Sequence, residues 1–360
     1  MLPISVCIIA KNEEQYIGEC LNRLIKYDWE IVVVDTGSID RTVDIARTYT
    51  PNVFHFNWIN DFSAARNYSI SKAHNAYILV IDCDEYLDVS SLTAKTVLTL
   101  PNLVSPKQVG LIELHNFSTA FSDDLSEGDP DIICDRVARF FHKDYTYYQG
   151  SIHEQLVSRD GEALSFVSLP IRFQHVGYNT IETRAVKAAR NITMLQRALD
   201  VNSSDPYLYF QMGQSHFGIA DYKKALPYFE KALSLDVNER EDFVQTLMES
   251  YGYSLLYLER YETALQLEGV YDIFSKRADF VFLMGLIYMN NFMFEQAIDA
   301  FLHAASIPNH AVEGVNSYKA FYNVGVIYEC MSHIPEALKY YKKCGSYAPA
   351  LHRISGLTQS

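Results

Sequence analysis

The sequence lacks the glycine-rich loops that cradle phosphates. Among its 16 glycines neither the G-x-G-x-x-G dinucleotide fingerprint nor the G-x-x-x-x-G-K-[S/T] pattern occurs. Basic runs are missing too: 30 Lys and Arg stand against 44 Asp and Glu, a net charge of −14. Residues 1–180 hold 24 acidic and 14 basic side chains, so −10 of that charge lies in the first half. Such a field repels polyphosphate backbones and anionic lipid, which excludes nucleic acid as the main partner. The six cysteines (Cys7, Cys20, Cys83, Cys134, Cys330, Cys344) include no close pair of metal-ligand spacing and lie in apolar segments. They read as reduced, buried thiols of a cytoplasmic protein. No apolar run is long enough to span a membrane. MLPISVCIIA, with no basic region before it and the polar KNEE directly after it, reads as a first strand and not as a signal peptide.

A chain of 360 residues, 49% of them hydrophobic, supports two domains with real cores. The boundary is expected between residues 178 and 179. In the first half ISVCIIA and EIVVVD read as strands. EEQYIGECLNRLIKY carries helical spacing at Ile17, Cys20, Leu21, Leu24 and Ile25, and IDRTVDIARTY reads as a second helix. Strand, helix, strand, helix implies a mostly parallel sheet. Ligands of such sheets bind beyond the carboxyl ends of the strands. There the chain places KNEE (11–14), DTGSID (35–40) and DCDE (82–85), which should converge on one crevice.

Each element has a plain structural reading. Asn12 and Asp40 can cap helices, Gly37 can supply a permissive turn, and an acidic residue after a strand is commonly a solvated loop residue. Together they deliver carboxylates at two strand ends, Asp35 and Asp82, with Asp84 beside the second. In extended backbone Asp82 and Asp84 would project to the same side. Two like charges so placed raise each other's pKa unless a cation sits near them. A hard divalent ion, Mg²⁺ or Mn²⁺, meets that need and bridges the phosphates of a nucleotide.

ISVCIIAKNEE, IVVVDTGSIDRT, WINDFSAARNYSISKA and YILVIDCDE, in this order, resemble the nucleotide-sugar half of family 2 glycosyltransferases with the GT-A fold, over residues 1–100. The resemblance implies that Asp35 hydrogen-bonds a uracil ring and that Ala10 and Glu13 line the base pocket. Arg66 would approach the nucleotide, Asp82 would contact ribose or sugar with Cys83 beside it in the donor site, and Asp84 would bind metal. RVARFFHKDYTYYQGSIHEQL and IRFQHVGY look like the second part of this domain, in the branch with lipooligosaccharide glucosyltransferases and bacterial peptide S-glycosyltransferases. An acceptor needs a base within hydrogen-bond reach. Glu154, just past a turn at Gly150, is the candidate; the alternative is a strand residue paired to Arg139 or Arg136. His153 and His175 would contact the diphosphate or complete the metal shell, with ordinary packed histidines as the alternative. The stretch FSDDLSEGDPDIICD (121–135), with six acidic and no basic residues, reads as a solvated loop or a lid.

The second half repeats itself. Twelve residues after each of Gly213, Gly252, Gly285 and Gly325 stand Ala225, Ala264, Ala297 and Ala337; three before those alanines stand Tyr222, Tyr261, Phe294 and Ile334. Small residues admit a close helix crossing and large ones fill the adjacent holes. This resembles the tetratricopeptide repeat, although the glycine spacings of 39, 33 and 40 depart from 34. An all-α solenoid of about four repeats is expected over 179–360, binding a peptide or protein on its concave face or else serving dimerisation.

The combined expectation is a metal-dependent inverting glycosyltransferase. It would move a sugar from a UDP-sugar to a Cys, Ser or Thr side chain of a peptide. A glycan acceptor such as lipooligosaccharide is the runner-up, and a non-catalytic scaffold the reading from a different class.

Overall fold

The computed structural model describes residues 3–118, 131–176 and 181–359. The acidic segment expected at 121–135 lies outside the described residues up to 130, and from Asp131 it is strand. The boundary expected at 178/179 also falls outside them. By packing, the chain divides into two compact units, 1–198 and 199–360.

The first unit opens with strand β1 (Ile4–Ala10), helix α1 (Ile17–Leu24), strand β2 (Glu30–Asp35), helix α2 (Thr42–Tyr49) and strand β3 (Val53–His55). Helix α3 (Phe62–Lys72), strands β4 (Tyr77–Asp82) and β5 (Glu85–Leu87) and helix α4 (Ala94–Leu103) follow. Strands β6 (Gln108–Ser118), β7 (Asp131–His142), β8 (Thr146–Gln149), β9 (Gln155–Ser158) and β10 (Ser165–His175) come next, and helix α5 (Ile181–Val201) after them. Eight strands form one sheet in the order β3-β2-β1-β4-β7-β6-β10-β5, and β8 and β9 form a separate hairpin. The β3-β2-β1-β4 half is parallel, as is β6 with β10, whereas β7 runs against both β4 and β6. The sheet is therefore mostly parallel with an antiparallel insertion.

Apolar strands buried on both faces explain the parallel half. Ile4, Val6 and Ile8 of β1 pack in one cluster with Ile17, Cys20, Leu21 and Leu24 of α1, and Cys7 and Val32 pack in another with Ile70 of α3. Ile25, expected on the buried face of α1, is 49% exposed because the helix ends at Leu24. Pairing of β4 with β7 stops at Leu79 with Phe140. The β6·β7 register shifts next to that point, leaving Arg139 as the extra residue of a bulge, a device that re-aims a side chain. The carboxyl end of β4 is thereby left open toward the crevice.

The second unit is helical: α6 (Pro206–Phe217), α7 (Tyr222–Leu233), α8 (Asp242–Tyr257), α9 (Tyr261–Ala264), α10 (Tyr271–Phe274), α11 (Ala278–Asn290), α12 (Phe294–Ala304), α13 (Tyr318–Cys330), α14 (Ile334–Lys343) and α15 (Ala348–Gln359). The repeat positions fall at equivalent places. Tyr222, Tyr261, Phe294 and Ile334 are each the first residue of a helix, and two residues earlier Ala220, Glu259, Phe292 and Ser332 each have φ of 56 to 63°. A left-handed residue thus ends every first helix without a glycine to announce it. A Cβ added at Gly213, Gly285 or Gly325 would lie 2.3, 2.7 or 2.5 Å from Phe229, Phe301 or Tyr341, the ring 16 residues onward in each case. At Gly252 the neighbours are instead Leu283 and Leu267, in the repeat whose second helix runs into 3₁₀ turns. The long connection before α13 is pinned by Asp279, which accepts from Ala311 N at 2.9 Å and Val312 N at 2.7 Å.

Two buried carboxylates share one guanidinium in this unit: Arg277 Nε donates to Asp279 and Nη2 to Glu249, each at 3.0 Å. Asp279 also takes two backbone N–H groups. Glu249 has only Arg277 and Gln245 to offset complete burial, which pushes its carboxyl up to about 8.

Gly325→Ala should destabilise the helical unit by about 1–3 kcal/mol through overpacking against Tyr341, whereas Gly356→Ala, with nothing near its Cβ, should be neutral or stabilising by up to about 1 kcal/mol. Melting followed by circular dichroism at 222 nm checks both. Between about pH 4.5 and 8 folded Glu249 holds a proton that the unfolded chain releases, so wild-type stability falls as pH rises through that window. The melting temperature of Glu249→Gln, which does not titrate, should therefore gain on wild type from pH 5 to 8 and level off above it.

Candidate functional site

The loops after β1 and β2 are stitched to each other. Asn12, at φ 56°, accepts from Ile39 N through Oδ1 at 2.9 Å and donates its own N–H to Ser38 Oγ at 2.9 Å. Glu13 N donates to Thr42 Oγ1 at 2.7 Å, and Glu14 N to Asp40 Oδ2 at 3.2 Å. Asp35, buried, closes its own turn by accepting from Gly37 N at 3.1 Å and Ser38 N at 3.0 Å, with His55 Nδ1 at 3.2 Å. Burial works to raise its pKa, but these hydrogen bonds outweigh it and hold the carboxyl below the usual range. Ala10, at 3% exposure, lies under this wall. Cys83 Sγ points to Ile9 O at 3.7 Å, and burial raises that thiol well out of the reactive range.

The third loop departs from expectation. Cys83 and Asp84 form a tight turn and not extended backbone, so Asp82 and Asp84 do not project side by side but address different cations. Arg66 Nη2 donates to Asp82 Oδ1 at 2.9 Å, and Arg139 Nη2 reaches Asp82 Oδ2 at 3.3 Å and Glu85 Oε1 at 2.8 Å. Burial would raise Asp82; the two guanidinium groups outweigh it and hold the carboxyl far below its ordinary value. Asp84 Oδ2 meets Lys187 Nζ of α5 at 2.7 Å and His175 Nε2 at 3.3 Å. Burial is again overcome, here by His175 and Lys187, so Asp84 is lowered while Asp84 raises His175 in return. Asn116 Oδ1, 2.7 Å from His175 Nδ1, orients the ring. Glu85 is sequestered inside the loop, accepting from Asp82 N at 3.0 Å.

Glu154 follows β8 in an irregular loop and forms an ion pair with Arg66 Nε, not with Arg139 or Arg136. Arg66 therefore joins the donor-side carboxylate Asp82 to the acceptor-side candidate Glu154. Its Nη1 is buried without a hydrogen-bond partner among the described residues, as are the Tyr148 hydroxyl, over whose ring the guanidinium sits at 5.7 Å, and His153 Nε2. Burial lowers His153 to about 4, so its ring is neutral at pH 7. Glu13 is raised to about 7 by burial and then by Asp84. The structure thus brings Asp82, Cys83, Asp84, His175, Arg66, His153 and Glu154 around the end of β4, with Ala10, Glu13 and Asp35 on the adjoining wall. Sequence reasoning did not assign Lys187, Asn116 or the pairing of Arg139 with Asp82 and Glu85: Lys187, Asn116 and Arg139 lie outside the three loops, and their roles depend on long-range placement and a bulge.

Lys187 and His175 converge on one carboxylate oxygen, Oδ2 of Asp84. An acidic oxygen plus an imidazole could hold a divalent cation if Lys187 gave up its place on Asp84.

Residues 5–94 match the family model described as Glycosyl transferase family 2, and residues 206–238 the model described as Tetratricopeptide repeat. The chain carries a family 2 glycosyltransferase domain followed by tetratricopeptide repeats. It is 26% identical over 260 residues to the SPbeta prophage-derived glycosyltransferase SunS of Bacillus subtilis (strain 168), covering 68% of this chain and 57% of that one. It is 40% identical over 93 residues to the TPR repeat-containing protein Synpcc7942_0270 of Synechococcus elongatus, 26% of this chain and 23% of that one. With the lipopolysaccharide core biosynthesis glycosyltransferase LpsC of Rhizobium meliloti it shares 33% identity over 91 residues, 24% of this chain and 33% of that one. The chain thus spans from 23% to 57% of the length of these relatives. No described helix is long and apolar enough to cross a membrane.

Arg66→Ala leaves Glu154 buried without its cation and should destabilise the first unit by about 3–5 kcal/mol. Both tryptophans, Trp29 and Trp58, lie in that unit, so the shift of the fluorescence-monitored urea midpoint measures it directly.

Proposed function

We propose that the first unit transfers a sugar from a UDP-sugar to a peptide or protein side chain, with inversion and with Mn²⁺ or Mg²⁺. The observation that carries this reading is the end of β4 in a family 2 domain. There Asp82 and Asp84 are held ionised by separate cations, and three buried polar atoms (Arg66 Nη1, Tyr148 Oη and His153 Nε2) have no hydrogen-bond partner among the described residues. Buried donors left over by the protein favour a polar ligand.

Asp35 and Glu13, with Ala10 beneath them, would take the base, and Asp82 with Arg66 the ribose or sugar. A cation on Asp84 and His175 would offset the charge developing on the diphosphate. Lys187 and His153, on either side, would hold the phosphate oxygens, one by charge and one by a neutral imidazole. Glu154 would take the acceptor's proton once substrate loosens its pair with Arg66, and a single displacement then inverts the anomeric centre. The similarity to SunS covers 68% of the chain, more than the 198 residues of the first unit, and so extends into the repeats. That extent supports an acceptor recognised by the repeats, such as a cysteine, serine or threonine of a peptide modified in the cytoplasm. The LpsC likeness spans only 91 residues, fewer than either unit holds.

The test is a panel of UDP-sugars with Mn²⁺ or Mg²⁺ and lysate fractions, read by mass spectrometry for an acceptor gaining a sugar mass. Asp84→Ala should lose both UDP-sugar hydrolysis and transfer. Glu154→Gln should keep UDP binding and lower transfer by roughly 10²–10⁴-fold. Unchanged turnover in Asp84→Ala would remove the metal from the account.

A further inference from the structure

Neighbouring residues of a strand face opposite sides of its sheet, so His115 of β6 points away from the side on which Asn116 meets His175. Glu113 shares the face of His115, and Cys134 of β7 stands directly opposite His115 in the antiparallel register. A carboxylate oxygen, an imidazole nitrogen and the thiol sulfur of these three residues lie within 4.8 Å of one another, the one such group of three among the described residues. Cys134 is a half-buried thiol, and the side chains of Glu113 and His115 are 39% and 19% exposed, so solvent ions can reach them. His115 Nε2 is hydrogen-bonded to Glu113 Oε1, and Arg172 Nε of β10 donates to the same oxygen at 3.0 Å.

We propose that Glu113, His115 and Cys134 form a binding site for a borderline-soft divalent cation of the zinc class, separate from the Asp84 and His175 pair. The donor set decides the class. A thiolate with an imidazole selects Zn²⁺ or Co²⁺ over Mg²⁺ or Mn²⁺, which the all-oxygen or oxygen-rich setting of a diphosphate suits better. Three protein ligands leave the fourth position to water or an outside ligand. Binding releases the proton of the Cys134 thiol to solvent, and His115 ligates through Nε2 as a neutral imidazole with its one N–H carried on Nδ1. The thiolate and carboxylate together then balance the two charges of the ion. Arg172 stays on Glu113 as the outer contact that orients a ligating carboxylate, and it is itself tied to Asp88 at 3.6 Å. The ion would clamp β6 to β7 one residue from Asn116, the side chain that orients His175.

The experiment titrates the full-length, chelator-stripped protein with Co²⁺ at pH 7.5 and records near-ultraviolet and visible absorption. One equivalent should produce a thiolate-to-cobalt charge-transfer band in wild type and equally in Asp84→Ala, and added Zn²⁺ should remove it. Cys134→Ser should abolish the band with its circular dichroism unchanged, and His115→Ala should weaken Co²⁺ uptake at least about tenfold. Absence of the band in folded wild type, or its persistence in Cys134→Ser, would overturn the proposal.

Discussion

The crevice depends on Arg66. One buried guanidinium, delivered by α3, binds Asp82 at the end of β4 and Glu154 in the loop after β8, so it fixes the separation of two carboxylates that the chain places 72 positions apart. The forked, permanently charged group suits this double role in a way that a lysine's single ammonium does not. Remove it and Glu154 faces burial without its cation, while Asp82 keeps only Arg139. Arg139 performs the parallel task for Asp82 and Glu85, and Lys187 with His175 for Asp84. The acidic end of β4 is thus a mosaic of ion pairs in which Asp82 and Glu85 share Arg139 while Asp84 has Lys187 and His175.

This arrangement has a functional corollary. A carboxylate that already holds a lysine ammonium is ready for a cation and need not bear an uncompensated charge while it waits. Lys187 balances the charge of Asp84 in the free protein and, under the proposed function, would become available to phosphate oxygens when displaced by a divalent ion. Such an exchange of one cation for another would keep Asp84 paired throughout, which a low-dielectric crevice requires.

Much of the fold was legible because it rests on local patterns. The apolar run Ile4–Ala10, the buried face of Ile17, Cys20, Leu21 and Leu24, and the glycine-to-alanine spacing of the repeats each follow from strand or helix periodicity. The convergence of KNEE, DTGSID and DCDE followed from parallel-sheet topology. What escaped depends on long-range register or on special backbone. The turn at Cys83 and Asp84 breaks the period-two rule that put both aspartates on one side. The bulge at Arg139 and the antiparallel β7 have no glycine or proline signature. The left-handed residues of the repeats are Ala, Glu, Phe and Ser, whose identities carry no hint of positive φ. Lys187 lies more than 100 positions from Asp84, in a helix that reads by itself as an ordinary amphipathic segment.

The central claim is that Asp84 and His175 receive a cation beside a nucleoside diphosphate lodged between Asp35 and Asp82. Diffraction from crystals soaked with UDP and Mn²⁺, collected at the manganese absorption edge, tests it most directly. The account predicts an anomalous peak in contact with Asp84 and His175, Lys187 moved off Asp84, and the uracil against Asp35. Manganese absent from that carboxylate, or UDP bound away from the end of β4, would contradict it.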